Sequence, residues 1–97
     1  MQINEGNVQE FLEKDGTKLL AFTAIWCGPC KMVKPVLEEL DKEGHNIGFV
    51  DVDENTKLAQ DWGVRNVPTL IVVPVNGDNT KLIGYQNKEK IKELLEA

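Results

Sequence analysis

Cys27 and Cys30 are the only two cysteines in the 97 residues, and they stand two residues apart within Trp26-Cys27-Gly28-Pro29-Cys30. Two thiols so placed can close and reopen a disulfide. A thiolate attacks a foreign disulfide, the second thiol attacks the mixed disulfide that results, and two electrons have moved to the foreign protein. A Cys-x-x-Cys pair near a βαβ pattern, in a chain with no secretion signal, reads as a dithiol of this kind. Two plainer readings compete. A bridge closing a ring of about four residues stabilises a fold by only about 2 kcal/mol in the loop-entropy account, less than one joining distant segments. Structural zinc takes four ligands, commonly from further cysteines and histidines. The single histidine, His45, stands in a Glu-Gly-His-Asn turn, where a solvated side chain is expected. We therefore expect no metal and no bound cofactor, the electrons being held by the Cys27-Cys30 pair itself.

Exchange requires a thiolate, and a free cysteine with pKa about 8.5 is only roughly 3% ionised at pH 7. Position must raise that fraction. At the amino end of a helix, unpaired N–H groups and the helix dipole favour negative charge, which suits Cys27. Gly28 permits close approach of an incoming sulfur. Pro29 fits a first helical turn because its missing N–H would be unpaired there in any case. Cys27 is expected to project from the exposed first turn and attack; Cys30, about one turn further in, is expected to be shielded and to resolve.

The elements that must hold this pair follow from periodicity. Val8, Phe11 and Leu12 predict a short first helix ending near Asp15-Gly16. Lys18 to Thr23 predicts a strand whose centre, Leu19-Leu20-Ala21-Phe22, lacks polar alternation, as befits a central strand covered on both faces. After Cys30 the residues Met32, Val33, Val36, Leu37 and Leu40 form an apolar stripe at helical spacing, which places Met32 in the core, and Gly44 supplies the stop. Pro35 predicts a kink within that helix. Ile47 to Val52 reads as a second, parallel strand and Leu58 to Trp62 as a brief helix. Thr69 to Val73, the turn Asn76-Gly77 and Lys81 to Tyr85 read as an antiparallel hairpin, with Pro74 ending the ladder or lying on an edge. Ile91, Leu94 and Leu95 mark a last amphipathic helix. The sum is an α/β fold, a central mixed sheet of four to five strands flanked by helices on both faces, with Met1 to Ile3 at most a short edge strand.

Residues 1–97 are expected to form one domain with one site. A formal net charge of −5 offers no broad cationic surface for phosphates, so nucleic acid and anionic membranes are poor partners. The start Met1-Gln2-Ile3-Asn4-Glu5 lacks the basic and apolar runs of a signal peptide, and no stretch approaches the roughly 20 apolar residues of a membrane span. A monomer in the reducing cytoplasm is expected.

The chain resembles the thioredoxin family over nearly its whole length. The resemblance rests on the pentapeptide, Lys31 directly after it, Pro35 eight residues beyond Cys27, Asp51-Val52-Asp53-Glu54-Asn55, Val67-Pro68-Thr69 and Gly84, in this order. It implies the thioredoxin fold and reduction of protein disulfides, with re-reduction by a thioredoxin reductase. It also implies a cis proline at Pro68 facing the disulfide, where the residues alone read as a turn before a strand. The backbone of Val67 would pair with an extended client, and Gly84 and Trp26 would complete a shallow apolar groove. Trp62 falls where the family often has an aromatic residue and is read as packing. The residues leave open a dedicated donor to one client, such as ribonucleotide reductase, a peroxidase or a sulfur-assimilation reductase. They also leave open an interaction module whose groove holds a partner while the dithiol is incidental.

Four positions depart from the family pattern. The buried aspartate usual six residues before the first cysteine is Ala21, and the lysine that accompanies it is Phe49. Losing both members of a buried ion pair can be neutral, whereas losing one costs about 3 to 5 kcal/mol. The resemblance assigns that aspartate to proton transfer at the resolving thiol. In this chain water, Asp51 or Asp53 is expected to serve Cys30, more slowly at neutral pH, while Lys31 adds modestly to the field on Cys27. Thr23 replaces a common aromatic, and the Val73-Pro74-Val75-Asn76-Gly77 hairpin is one residue longer than usual.

Overall fold

Four strands, β1 (Lys18–Thr23), β2 (Asn46–Asp51), β3 (Thr69–Val73) and β4 (Thr80–Ile83), form one mixed sheet in the order β2-β1-β3-β4. The computed structural model describes residues 1–97. β1 pairs in parallel with β2 and antiparallel with β3, and β3 pairs antiparallel with β4. Helices α1 (Val8–Leu12), α2 (Gly28–Lys42), α3 (Thr56–Asp61) and α4 (Lys88–Glu96) supply the covering layers.

Alternate residues of β1, β2 and β3 enter two separate cores, because side chains alternate across a pleated strand. Leu19, Ala21, Ile47, Leu70 and Val72 pack with Val33, Leu37 and Leu40 of α2 and with Ile91 and Leu95 of α4. Leu20, Phe22, Val50 and Ile71 pack on the other side with Phe11 of α1, Leu58 and Ala59 of α3, and Ile3. This explains the unbroken apolar run in β1: Leu19 to Phe22 are all fully buried, two against each helical layer. Gly48 of β2 sits where a Cβ would lie 2.8 Å from Ile3 Cγ1 and 3.0 Å from Phe11 Cζ, so the absence of a side chain lets α1 approach the sheet.

Several expectations change in detail. Met32 is 63% exposed rather than buried. The buried face of α2 is Cys30, Val33, Leu37 and Leu40, and at about 100° per residue Met32 lies roughly 120° off its centre. The helix continues through Pro35. β2 begins one residue earlier than predicted, where Asn46 pairs with Lys18. β4 stops at Ile83 rather than Tyr85, because Gly84 adopts φ +90° and turns its N–H to Pro68 O at 2.8 Å. Only Gln2 bridges to Phe49 at the amino end, so the sheet has four strands. β3 ends at Val73, before Pro74. His45 is not a freely solvated loop residue: its side chain is 20% exposed and Nε2 lies 3.5 Å from Glu96 Oε2 at the end of α4. Lys18 is buried at 6% exposure, which its local sequence does not reveal. Its ammonium donates to Lys14 O and Gly16 O, both at 2.7 Å, and so closes the turn into β1.

Candidate active site

β1 delivers the chain to the site. Beyond Thr23 the backbone turns, Ala24 O accepts from Cys27 N at 3.2 Å, and Cys27 becomes the N-cap of α2 with extended dihedrals (φ −89°, ψ 117°). Its Sγ accepts the N–H of Cys30 at 3.2 Å, one of the donors that a helix start leaves without an intrahelical partner. Pro29 occupies the first turn. Cys27 and Cys30 are joined as a disulfide with Cα atoms 5.2 Å apart.

The expected contrast in exposure between the two cysteines is absent from this oxidised form. Cys27 is 4% and Cys30 3% exposed, both packed with Ala24 and against Val52 and Val67. What stands out to solvent is the surroundings of the pair, Trp26 at 67% exposure and the exposed Gly28 and Pro29. Trp26 is fixed by a hydrogen bond from Nε1 to Asp53 Oδ2 at 2.8 Å. Spacing could not have shown that link, because the partners are 27 residues apart.

The Val67-Pro68 peptide is cis. Val67 packs against the cysteine cluster, and the Gly84 N–H to Pro68 O bond brings Gly84, the third residue expected in the groove, to the same place. Neither the N–H nor the C=O of Val67 makes a hydrogen bond within the chain. Trp62 packs under the sheet with its ring centroid 6.4 Å from that of Phe22, which agrees with a packing role.

Beside Cys30 lies a cavity of about 300 Å³, open to solvent, whose lining includes Thr23, Cys30, Lys31, Lys34, Phe49 and Asp51. Ala21 and Phe49 are direct partners in the parallel ladder, so the two replaced positions do face one another across β1 and β2. Ala21 is fully buried. Asp51 ends β2 opposite Thr23, its Oδ1 accepting from Asp53 N at 2.9 Å and its carbonyl from Asn55 Nδ2 at 3.0 Å. Asn55, buried at 9% exposure, is a second residue whose part the sequence did not reveal. No group of three or more His, Cys, Asp or Glu residues could hold a metal ion, and no helix is long and apolar enough to cross a membrane.

A Cys-x-x-Cys disulfide at the start of a helix, set at the carboxyl ends of a parallel strand pair and beside a cis proline, defines the thiol–disulfide oxidoreductases of thioredoxin fold. Comparison with known proteins gives the narrower group. The Thioredoxin family model matches residues 1–97. The chain is 42% identical to a thioredoxin of Staphylococcus haemolyticus, over 99% of this chain and 94% of that one. It is 46% identical to a thioredoxin of Staphylococcus aureus over 86% of this chain and 83% of the other. Among solved structures, a mutant thioredoxin from Halobacterium salinarum superposes with a TM-score of 0.89 at 33% identity, covering 99% of this chain and 87% of that one. The chain belongs to the thioredoxin family. It is a thiol–disulfide oxidoreductase that carries electrons on its own cysteine pair, without a cofactor.

Proposed function

We propose that the chain reduces protein disulfides with Cys27 as the attacking and Cys30 as the resolving thiol, and is itself re-reduced by a thioredoxin reductase. The observation that carries the assignment is the hydrogen bond from Cys30 N–H to Cys27 Sγ at 3.2 Å. In the reduced protein the same N–H and the helix dipole stabilise a thiolate on Cys27, and no comparable backbone donor is aimed at Cys30. Lys31, exposed in the next turn, adds positive field. A client strand lies along Val67, whose free N–H and C=O offer pairing of the kind used when a peptide extends a sheet edge. Trp26, Pro68 and Gly84 flank it. The clients are proteins with accessible disulfides, and the chain acts as a monomeric single domain in the cytoplasm, where a reductase keeps the dithiol reduced.

Turnover of insulin disulfides with dithiothreitol as reductant tests this directly. Wild type is expected to catalyse, Cys27→Ser to lose all turnover, and Cys30→Ser to stall as a mixed disulfide on Cys27. A Cys27→Ser protein that still turns over would overthrow the order of attack. A wild type that binds clients without reducing them would make the groove an interaction module.

A further inference from the structure

Resolution of the mixed disulfide requires the Cys30 thiol to lose a proton, and the family's usual buried carboxylate is missing because position 21 is alanine. Cys30 nevertheless lines a cavity of about 300 Å³ that one carboxylate, Asp51, also lines. At roughly 30 Å³ per molecule this volume accommodates several waters, and its lining offers them a hydroxyl at Thr23 and cations at Lys31 and Lys34. Those two lysines, from α2, are the other charged groups facing the cavity, and as cations they cannot accept the proton. Thr23 can pass a proton along but not hold it. Asp53, the other nearby carboxylate, does not line the cavity and accepts from Trp26 Nε1 on the exposed side of the loop. His45 precedes the opposite end of β2. Asp51 is held in position by its own turn: Oδ1 takes the Asp53 N–H and its carbonyl takes the Asn55 amide, while Oδ2 makes no hydrogen bond within the chain.

We infer that Asp51, through water in this cavity, takes the proton from Cys30 when the mixed disulfide is resolved. The inference rests on the assignment of Cys27 as attacker and Cys30 as resolver given above. The Cys30 S–H proton passes through water to the Asp51 carboxylate. The Cys30 thiolate then forms a bond to Cys27 Sγ as the bond from Cys27 Sγ to the client sulfur breaks. The client leaves as a thiolate and is protonated by solvent, and Asp51 returns its proton to solvent. The client disulfide has gained two electrons, and the cysteine pair has lost two.

Stopped-flow reaction of the reduced protein with dithiobis-nitrobenzoate separates the steps, since the first coloured thiolate reports attack by Cys27 and the second reports resolution by Cys30. Cys30→Ser identifies the second phase by abolishing it. Asp51→Asn keeps an Oδ1 acceptor for the Asp53 N–H but cannot take a proton. It is expected to slow the second phase by roughly a hundredfold or more at neutral pH, leave the first phase unchanged, and converge on wild type as pH rises past about 8.5, where a thiol ionises unaided. Glu54→Gln, which removes an exposed neighbouring charge, is expected to change neither phase. A second phase in Asp51→Asn that overlays wild type, or that is slowed equally at every pH, would overturn the relay while leaving the order of attack intact. Absence of any first phase in wild type would overturn both. Should Asp51→Asn fail to fold, Thr23→Leu reads the same step by displacing cavity water. Selective slowing at neutral pH supports the relay, and a wild-type second phase overturns it.

Discussion

Cys27 Sγ caps α2 by accepting the Cys30 N–H, and in the proposed order of attack the same atom is the nucleophile. Under that proposal the geometry that orders the first turn also tunes the nucleophile. The residues beneath the pair are less ordinary. Ala21 lies fully buried opposite Phe49, so this region holds no ion pair to desolvate. Ala21→Asp alone is expected to destabilise the protein by about 3 kcal/mol at neutral pH, because Phe49 gives the new carboxylate no cation. Burial would raise that carboxyl's pKa above its unfolded value, so the penalty shrinks at acid pH, where the group is neutral in both states, and grows as pH rises past the unfolded value. Denaturant titrations at pH 4 and 7 check the sign. Adding Phe49→Lys to Ala21→Asp should recover part of the loss, and the double-mutant cycle measures the coupling. The resemblance already paired Ala21 with Phe49; the register of β1 and β2 makes them direct partners in the ladder.

Among the elements, α2 is the one on which the site depends, since it is anchored by its buried face while presenting Cys27 at its start. Leu37 is fully buried in the core shared with α4, and Met32 stands mostly in solvent. Leu37→Ala is expected to cost about 2 to 5 kcal/mol. Met32→Ala is expected to stay within about 0.5 kcal/mol of wild type. Equilibrium unfolding in urea distinguishes them, and a large loss at Met32 would return it to the core. The helix itself was legible from its apolar spacing, but the width of its buried stripe was not. Five apolar residues fit one face of a helical wheel, and only the sheet beneath α2 determines how far round the helix burial extends. The strand ends shifted for the same kind of reason, as Asn46 found a partner in Lys18 and Gly84 was drawn to Pro68 O.

Over the full chain, α2 and α4 are tied by Lys88, which reaches both Glu39 and Glu43. The hydrogen bond from Lys88 holds the Glu43 carboxyl below its ordinary value near 4.5, and the same bond raises the Lys88 ammonium above 10.5. The stability that Glu43 contributes is fully present above its unfolded value and is lost as pH falls through its lowered folded one. The Lys88 contribution is present below its unfolded value and lost as pH rises through the raised one. Both groups reach solvent, so the effect is small and weakens with salt. Lys88→Met is expected to flatten the acid limb of melting temperature against pH while leaving the disulfide chemistry unchanged. Melting curves at low ionic strength check it, and an unaltered acid limb would mean the tie contributes nothing in solution.

Two cysteines at this spacing pointed to dithiol exchange, while leaving an interaction module with an incidental dithiol open. The order of elements was equally accessible, through short-range apolar periodicity that each segment expresses without reference to the rest. The residues around the pentapeptide, from Lys31 to Gly84, carried the resemblance to the thioredoxin family. What lies across space from the disulfide emerged only once the chain was folded. Folding buried Cys27 nearly as deeply as Cys30, joined Trp26 to Asp53, set Val67 against the cysteines, and opened a cavity shared by Cys30 and Asp51. Each of these depends on contacts between residues that local sequence does not bring together. Such contacts are set by which faces of strands and helices meet, and local pattern leaves that choice open.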